Sequence, residues 1–191
     1  METKFISFTL DNTKNIVDNK IRTIQNSLSY ICGSISVFMI LEYWHIEYDI
    51  CEFTKLSKDG IKSNDQTGSN PITLTYAILE KFRNHLTVDV FWEDLVELND
   101  DEIALKNKII EYGGTFNKSL DIEDIIDNLN NDNIPIIAYN DHFSPLKGYQ
   151  KQNNKLYFPN FQEVIGDSDV DLETFKKNWD KYRICIYLRK K

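Results

Sequence analysis

Residues 28–44 read LSYICGSISVFMILEYW, and this stretch decides how the rest of the chain is interpreted. A turn-prone approach ends at Cys32, then Gly33 and Ser34 lead into a long apolar run. Apolar residues on nearly every side of a helix are typical of a central, buried helix, so we expect one over 33–44. A thiol at its start is either a small buried side chain or a nucleophile activated by a helix N-terminus.

The whole chain, 1–191, predicts one α+β domain. Its 191 residues, 41% of them hydrophobic, are enough for a single well-packed core. Helical periodicity dominates the first part, and strands with short turns follow, which is typical of helices beside an antiparallel sheet. Helices are expected at 48–57, 72–82, 101–112, 121–131 and 172–179, and strands at 4–10, 87–92, 134–139, 142–150, 155–161 and 182–188. Residues 57–71 have the composition of a long loop.

Charge and cysteine content limit the class of protein. The net charge of −8 argues against binding to nucleic acid or to an anionic membrane surface. The start, METKFISFTLDN, has no long apolar segment, and no run of about 20 apolar residues follows, so we expect neither a signal peptide nor a membrane span. Three cysteines without a secretion signal predict free thiols in the cytoplasm. The Ile-, Lys- and Asn-rich composition is typical of a bacterial protein from an AT-rich genome.

A nucleophilic cysteine needs a base, and the chain offers three histidines. His45 lies thirteen residues after Cys32, about 20 Å along a helix, which is too far for a hydrogen bond. His85 lies in a polar turn and is expected to be exposed. His142 begins a strand after a tight connection, where a sheet would hold its ring, and is the preferred base. Asn160, at the same end of the predicted sheet, could accept a hydrogen bond from the imidazole and orient it.

These segments resemble the papain-like cysteine peptidases, especially the bacterial enzymes that cleave bacteriocin leaders after a double glycine. In that family a Gln precedes Cys-Gly and a buried helix follows, as in QNSLSYICGSISVFMILEY here. A Pro then opens a hydrophobic strand before His-aromatic and Gly-Tyr, which IPIIAYNDHFSPLKGY matches. LYFPNF corresponds to a strand that usually ends in Asp-Pro, and FKKNWDKYRICIYL to a Trp-containing helix and a last strand. The resemblance extends from about residue 20 to the end.

The resemblance implies a role for four residues. Cys32 is the expected nucleophile and His142 the expected base. Asn160 stands where the leader peptidases carry Asp and papain carries Asn. Gln25 is expected to complete the oxyanion hole with the backbone N–H of Cys32. Because Gln25 precedes the cysteine by seven residues where the family has six, Asn26 is the alternative donor.

The remaining candidates have structural interpretations. Cys185, within RICIYL, is expected in the core, and Cys51 is expected to be half-buried packing. Pro145 interrupts a strand and should lie at a sheet edge or a bulge. The GGT at 113–115 is expected to cap a helix, and the acidic stretch 92–102 is expected to be solvated. The chain has no C-x-x-C motif, no paired histidines and no phosphate-binding loop, so neither a metal nor another cofactor is expected.

A Cys–His pair forms an acyl-thioester, and the second nucleophile decides the reaction. Water would give a cysteine peptidase, whereas an amine would give an amide bond. We expect neither a pro-segment nor an attached transporter, and an acidic surface attracts amines, which favours transfer. The chain is also similar to small stand-alone amide synthetases of closthioamide-type polythioamides and acyltransferases of butirosin-type aminoglycosides.

Those enzymes move an acyl group from a carrier protein to an amine without ATP. The likeness implies ATP-independent amide formation in natural-product biosynthesis, with an acyl carrier protein or another thioester as donor and an amine as acceptor. Cleavage of a leader peptide after a double glycine is the alternative. A papain-like fold that only binds a partner is a third possibility, which the order Cys, His, Asn disfavours. The oligomeric state stays open.

Overall fold

The apolar run after Cys32 forms a buried helix. The structure, a computed structural model, describes residues 4–5, 32–59, 70–92, 98–118, 120–139, 142–159, 167–179 and 183–191. Helix α1 is Cys32–Tyr43, and the side chains from Val37 to Leu41 are all buried. A helix without a solvated face has to lie at the centre of a domain, so the prediction made from the apolar run is confirmed.

Helix α1 ends in a turn that uses His45. The His45 backbone has φ +55°, a left-handed conformation in which glycine is commonest. Its N–H donates to the carbonyl of Glu42 at 3.1 Å, and the N–H of Ile46 donates to Leu41 at 2.9 Å. These two bonds satisfy carbonyls that the end of a helix leaves unpaired. His45 therefore serves as the C-terminal cap of the helix that Cys32 begins.

Five more helices surround the sheets within the described residues. They are α2 (Ile50–Asp59), α3 (Pro71–Phe82), α4 (Asp100–Glu111), α5 (Ile122–Asn128) and α6 (Leu172–Asn178). The side chain of Asn70 accepts from the N–H of Ile72 at 2.8 Å and caps α3. Helix α2 continues to Asp59 and α3 begins at Pro71, so the expected loop at 57–71 was wrong for its first three residues and its last. Ser57 is helical and buried, and 60–69 lie outside the described residues.

Helix α4 has both of its ends specified by sequence. Asn99 and Glu102 form a reciprocal capping box at its start. At its other end Gly113 has φ +87°, and the N–H of Gly114 donates to Ile109 at 2.9 Å. The expected helix cap at 113–115 is thus confirmed for its two glycines.

The strands form two sheets. They are β1 (Lys4–Phe5), β2 (Leu86–Phe91), β3 (Thr115–Asn117), β4 (Asn133–Tyr139), β5 (His142–Pro145), β6 (Gly148–Gln150), β7 (Lys155–Pro159), β8 (Asp167–Asp171) and β9 (Cys185–Lys190). The five-stranded sheet has the order β3-β2-β9-β4-β5, with β2 and β3 parallel and the other pairs antiparallel. The four-stranded sheet is antiparallel with the order β1-β6-β7-β8. The α+β prediction is confirmed at this level.

The segment 142–150 was expected to be one strand and is two. Pro145 has no N–H to donate, and it lies on β5, the edge of the five-stranded sheet, as predicted. The next two residues form a corner: the N–H of Leu146 donates to Pro135 at 2.9 Å, and that of Lys147 donates to Tyr157 at 2.9 Å. The bond from Leu146 is made to β4 of the five-stranded sheet, and the bond from Lys147 is made to β7 of the four-stranded sheet. His142 therefore stands at an edge strand that leads directly into the second sheet.

Candidate active site

Cys32 is the first residue of α1, as the sequence predicted. Its side chain is half-buried and packs against the hydrophobic core. The first turn of a helix leaves backbone N–H groups without intrahelical partners, and the helix dipole favours negative charge there. The first turn of α1 contains no acidic side chain that would oppose a thiolate. Cys32 therefore lies where a helix presents backbone N–H donors and no carboxylate of its own first turn.

His142 begins β5 and is directly opposite Tyr139 of β4. Its side chain is half-buried, and this burial lowers the pKa of His142 below its ordinary value, because an imidazolium is poorly solvated there. A lowered pKa keeps the ring neutral at neutral pH, and only a neutral imidazole can accept a proton. The ring of His142 is therefore in the form that can take the proton of a neighbouring thiol.

A buried hydroxyl joins the helix of Cys32 to the strand of His142. The Oγ of Ser36 donates to the backbone carbonyl of Cys32 at 2.9 Å and to that of Phe143, the residue after His142, at 3.0 Å. Ser36 is fully buried. The start of α1 and the start of β5 are therefore neighbours, which brings the predicted nucleophile and the predicted base to the same part of the molecule.

An aromatic cluster next to His142 holds the end of β7. The ring of Tyr139 is stacked on Phe158 with centroids 6.3 Å apart and on Phe175 with centroids 4.8 Å apart. The backbone of Tyr139 also pairs with Trp179, whose ring lies 5.2 Å from that of Phe175. Because Tyr139 is opposite His142, these contacts bring the end of β7 close to the histidine.

The two remaining predicted site residues are not described. Asn160 follows directly after β7 but lies outside the described residues, as do Gln25 and its alternative Asn26. The role of Asn160 therefore stays a prediction. The oxyanion-hole assignment of Gln25 stays a prediction.

The other two histidines lie elsewhere. His45 is exposed beyond the end of α1, where it forms the helix cap. His85 is exposed in the turn after α3, and its carbonyl accepts from the N–H of Lys191 at 2.9 Å. The expected exposure of His85 is confirmed, and of the three histidines His142 has the partly buried side chain.

The other two thiols have different surroundings. Cys185 is fully buried in β9, and burial raises the pKa of Cys185 far above its ordinary value, which confirms the core interpretation. Cys51, expected to be half-buried, is exposed on α2, so that expectation was wrong. The apolar residues of α2 face the core through Ile50 and Phe53, which turns position 51 to solvent.

The acidic stretches act at helix termini. In 92–102 the described carboxylates of Asp100, Asp101 and Glu102 lie in the first turn of α4, where they complement the helix dipole. The side chain of Asp100 is exposed, in agreement with a solvated face. Glu102 also completes the capping box. These acids therefore stabilise a helix, which requires no bound amine or cation.

Sequence reasoning missed Ser36. It was treated as one member of a buried helix, although it is a polar residue inside an apolar run, four positions after the cysteine. In a helix, that spacing places two side chains on the same face. A serine at this spacing from a suspected nucleophile is the signal that could have identified it.

Within the described ranges, no group of three or more His, Cys, Asp or Glu side chains could hold a metal ion. Among the same residues, no helix has both the length and the apolar character needed to cross a membrane. No protein-family model matches the chain, and no match was found among curated proteins or among solved structures. The case for a function therefore depends on the geometry around Cys32 and His142.

Proposed function

We propose that the chain is a papain-like acyltransferase in which Cys32 carries an acyl group as a thioester and passes it to an amine. The observation that carries this proposal is the bridging hydroxyl of Ser36, 2.9 Å from the carbonyl of Cys32 and 3.0 Å from that of Phe143. It makes neighbours of a thiol at a helix N-terminus and a half-buried histidine at the start of a strand. A nucleophile next to a base is the arrangement that covalent acyl transfer requires.

In the first half-reaction, the Sγ of Cys32 attacks the carbonyl carbon of a thioester donor while His142 accepts the thiol proton. The carbonyl oxygen becomes an oxyanion, for which the N–H of Cys32 and the amide of Gln25 are the proposed donors. When this intermediate collapses, the bond to the donor sulfur breaks. The donor leaves as a thiol with the proton from His142, and the acyl group stays on Cys32.

In the second half-reaction, the amine nitrogen attacks the acyl-Cys32 carbonyl and His142 accepts the amine proton. Collapse forms the amide, breaks the bond to Cys32 and returns the proton to its sulfur, so the cycle consumes no ATP. Asn160 is the proposed acceptor that orients the imidazole. The contact between Tyr139 and Phe158, which holds the end of β7 beside His142, supports this role.

The choice of an amine as the second nucleophile rests on the sequence. The net charge of −8 favours a cationic acceptor over a polyanionic partner. We propose that the donor is an acyl carrier protein or a smaller thioester, and that the reaction belongs to bacterial natural-product biosynthesis in the cytoplasm. Water would compete as the second nucleophile, which would make the chain a hydrolase or a leader peptidase.

Intact-protein mass spectrometry tests the proposal. The protein is incubated with the hexanoyl thioester of N-acetylcysteamine, with and without spermidine, and then digested to locate the modified residue. We expect a hexanoyl adduct on Cys32 that persists in buffer and is lost, with formation of hexanoyl-spermidine, when the amine is added. Cys32→Ser should form no thioester adduct, and His85→Ala is the matched control because His85 is an exposed histidine away from the site.

Two outcomes would contradict the proposal. A Cys32 adduct that is hydrolysed as fast without spermidine as with it would identify a thioesterase or peptidase instead. Acylation of Cys51 in place of Cys32 would remove the nucleophile assignment. A peptide containing a double glycine, incubated with the same protein, measures the peptidase alternative directly.

A further inference from the structure

The hydroxyl of Ser36 makes two hydrogen bonds. One is common within helices, and the other joins the helix to a distant strand. A serine that donates to the carbonyl four residues earlier, as Ser36 does to Cys32, is a common local arrangement in helices. The bond to the carbonyl of Phe143 joins residues 107 positions apart. One proton is therefore shared between two carbonyls from different elements.

The register of the sheet explains why the Phe143 carbonyl is available. Phe143 is opposite Ala138, and the N–H of Ala138 points away from β5 to donate to Ile184 at 3.1 Å. In an antiparallel pair this marks a non-hydrogen-bonded position, so the Phe143 carbonyl also points outward, away from β4. Because β5 is the edge strand, no further strand of the five-stranded sheet can satisfy that carbonyl. Ser36 of α1 takes this place.

We propose that Ser36 is a positioning residue, whose hydroxyl fixes the distance between Cys32 at the start of α1 and His142 at the start of β5. This inference rests on the function proposed above, because it assumes that the thiol and the imidazole act together. Effective proton transfer needs the two groups within hydrogen-bonding reach, and a misplacement of about 1 Å can cost about 100-fold in rate. The Ser36 hydroxyl is bonded to α1 at Cys32 and to β5 at Phe143, so it resists a displacement of the thiol relative to the imidazole.

Ser34 provides a matched control on the same helix. It is also a fully buried serine, and its Oγ lies 2.9 Å from the Oγ of Ser57 on α2. The Ser57 hydroxyl in turn donates to the carbonyl of Thr54 at 2.9 Å. Ser34→Ala therefore removes a buried hydroxyl from the first turns of α1 without breaking a link to β5. Any difference from Ser36→Ala reports on that link.

The experiment measures how fast iodoacetamide alkylates Cys32 at pH 6 and at pH 9.5. All proteins carry Cys51→Ser, because Cys51 is exposed and would react at high pH. A thiol paired with an imidazole reacts at pH 6 as a thiolate, whereas an unpaired thiol is largely protonated there. His142 pairs with Tyr139 in the register of β4 and β5, and the first turn of α1 has no acidic side chain, so among these residues the imidazole is the group that can take up the thiol proton.

We expect Ser36→Ala to lower the rate at pH 6 by about 10-fold or more and to change the rate at pH 9.5 less than about twofold. Ser34→Ala should keep the wild-type rates at both pH values. Circular dichroism is recorded for every variant, because an unfolded chain would also present Cys32 as an unpaired thiol that reacts slowly at pH 6. Ser36→Thr, which retains the hydroxyl, should preserve the pH 6 rate, whereas Ser36→Val, of similar shape without a donor, should lose it.

If circular dichroism shows that Ser36→Ala does not fold, the comparison of Ser36→Thr with Ser36→Val tests whether the hydroxyl positions the thiol and the imidazole. Equal pH 6 rates in the hydroxyl-bearing and hydroxyl-free variants would overturn the positioning role while leaving the proposed function intact. A parent protein whose Cys32 reacts at pH 6 like an ordinary thiol would overturn the proposed function itself. The two failures are therefore distinguishable.

Discussion

Cys32 and Cys185 are both in contact with the hydrophobic core, yet their surroundings differ in one decisive respect. Cys185 is the first residue of β9, which lies between β2 and β4, and it is opposite Phe91 on one side and Ile137 on the other. Its thiol is fully buried. Cys32 is the first residue of a helix next to an edge strand, and it is half-buried.

The comparison teaches that contact with apolar side chains does not distinguish the two thiols, whereas their positions among the neighbouring elements do, and the proposed function assigns chemistry to Cys32 on that ground. In the central strand, full burial raises the pKa of Cys185 and so destabilises its thiolate. At the start of α1, the thiol lies beside the first backbone N–H groups of a helix, and the neighbouring edge strand β5 begins with His142. The following predictions test this contrast, from the largest expected effect to the smallest.

Replacement of His142 should have the largest effect. We expect His142→Ala to lower the rate of Cys32 acylation by hexanoyl-N-acetylcysteamine by about 100- to 10,000-fold, the range typical of the loss of a general base. His85→Ala should retain nearly the full rate, since His85 is an exposed turn residue. Stopped reactions quantified by intact-protein mass spectrometry measure both rates. Equal losses in the two variants, with unchanged circular dichroism spectra, would remove the distinction between the histidines.

The three thiols of the folded protein should differ in their rates of alkylation at pH 6.5. We expect iodoacetamide to modify Cys32 about 10- to 100-fold faster than Cys51, because the proposed pairing with His142 supplies the thiolate, which is the reactive form. Cys185 should remain unmodified until the protein is unfolded in urea, because it is fully buried. Peptide mapping over time gives the three rates. Modification of the exposed Cys51 before Cys32 would contradict the contrast.

For the free energy of unfolding we expect the opposite order, with Cys185 more important than Cys32. Cys185→Ser places a hydroxyl among apolar neighbours and should lower the free energy of unfolding by about 1–3 kcal/mol. Cys32→Ser, at a half-buried helix start where serine is well tolerated, should change it by less than about 0.5 kcal/mol. Urea unfolding followed by circular dichroism measures both. A larger loss for Cys32→Ser would mean that Cys32 is mainly a packing residue.

Most helices and long strands could be predicted because each has its own local signal. The apolar run of α1 and the Asn-Pro start of α3 specify their elements without help from distant residues. Strands β3 and β8 were missed because they are short and mostly polar, TFN and DSDVD, and depend on a partner strand for their conformation. Cys51 was misplaced because its exposure depends on which side of α2 faces the core.

The candidate site was predictable in part for the same reason. Cys32 and His142 were selected from their places at the starts of elements, and the structure describes both as starts of α1 and β5. Ser36 was missed because its importance lies in a bond to Phe143, 107 residues away, which no local pattern encodes. The roles of Asn160 and Gln25 remain predictions from the resemblance.

The sequence by itself determined that a thiol begins a buried helix, that His45 is too far along that helix to act as its base, and that the chain is an α+β domain. Those features follow from helical rise, periodicity and composition, which are properties of neighbouring residues. Only the tertiary structure decided that β9 lies between β2 and β4, which leaves β5 at the edge of its sheet. An edge strand has outward carbonyls that a helix can satisfy, and this is why Ser36 of α1 bonds to Phe143 and makes the start of α1 a neighbour of the start of β5.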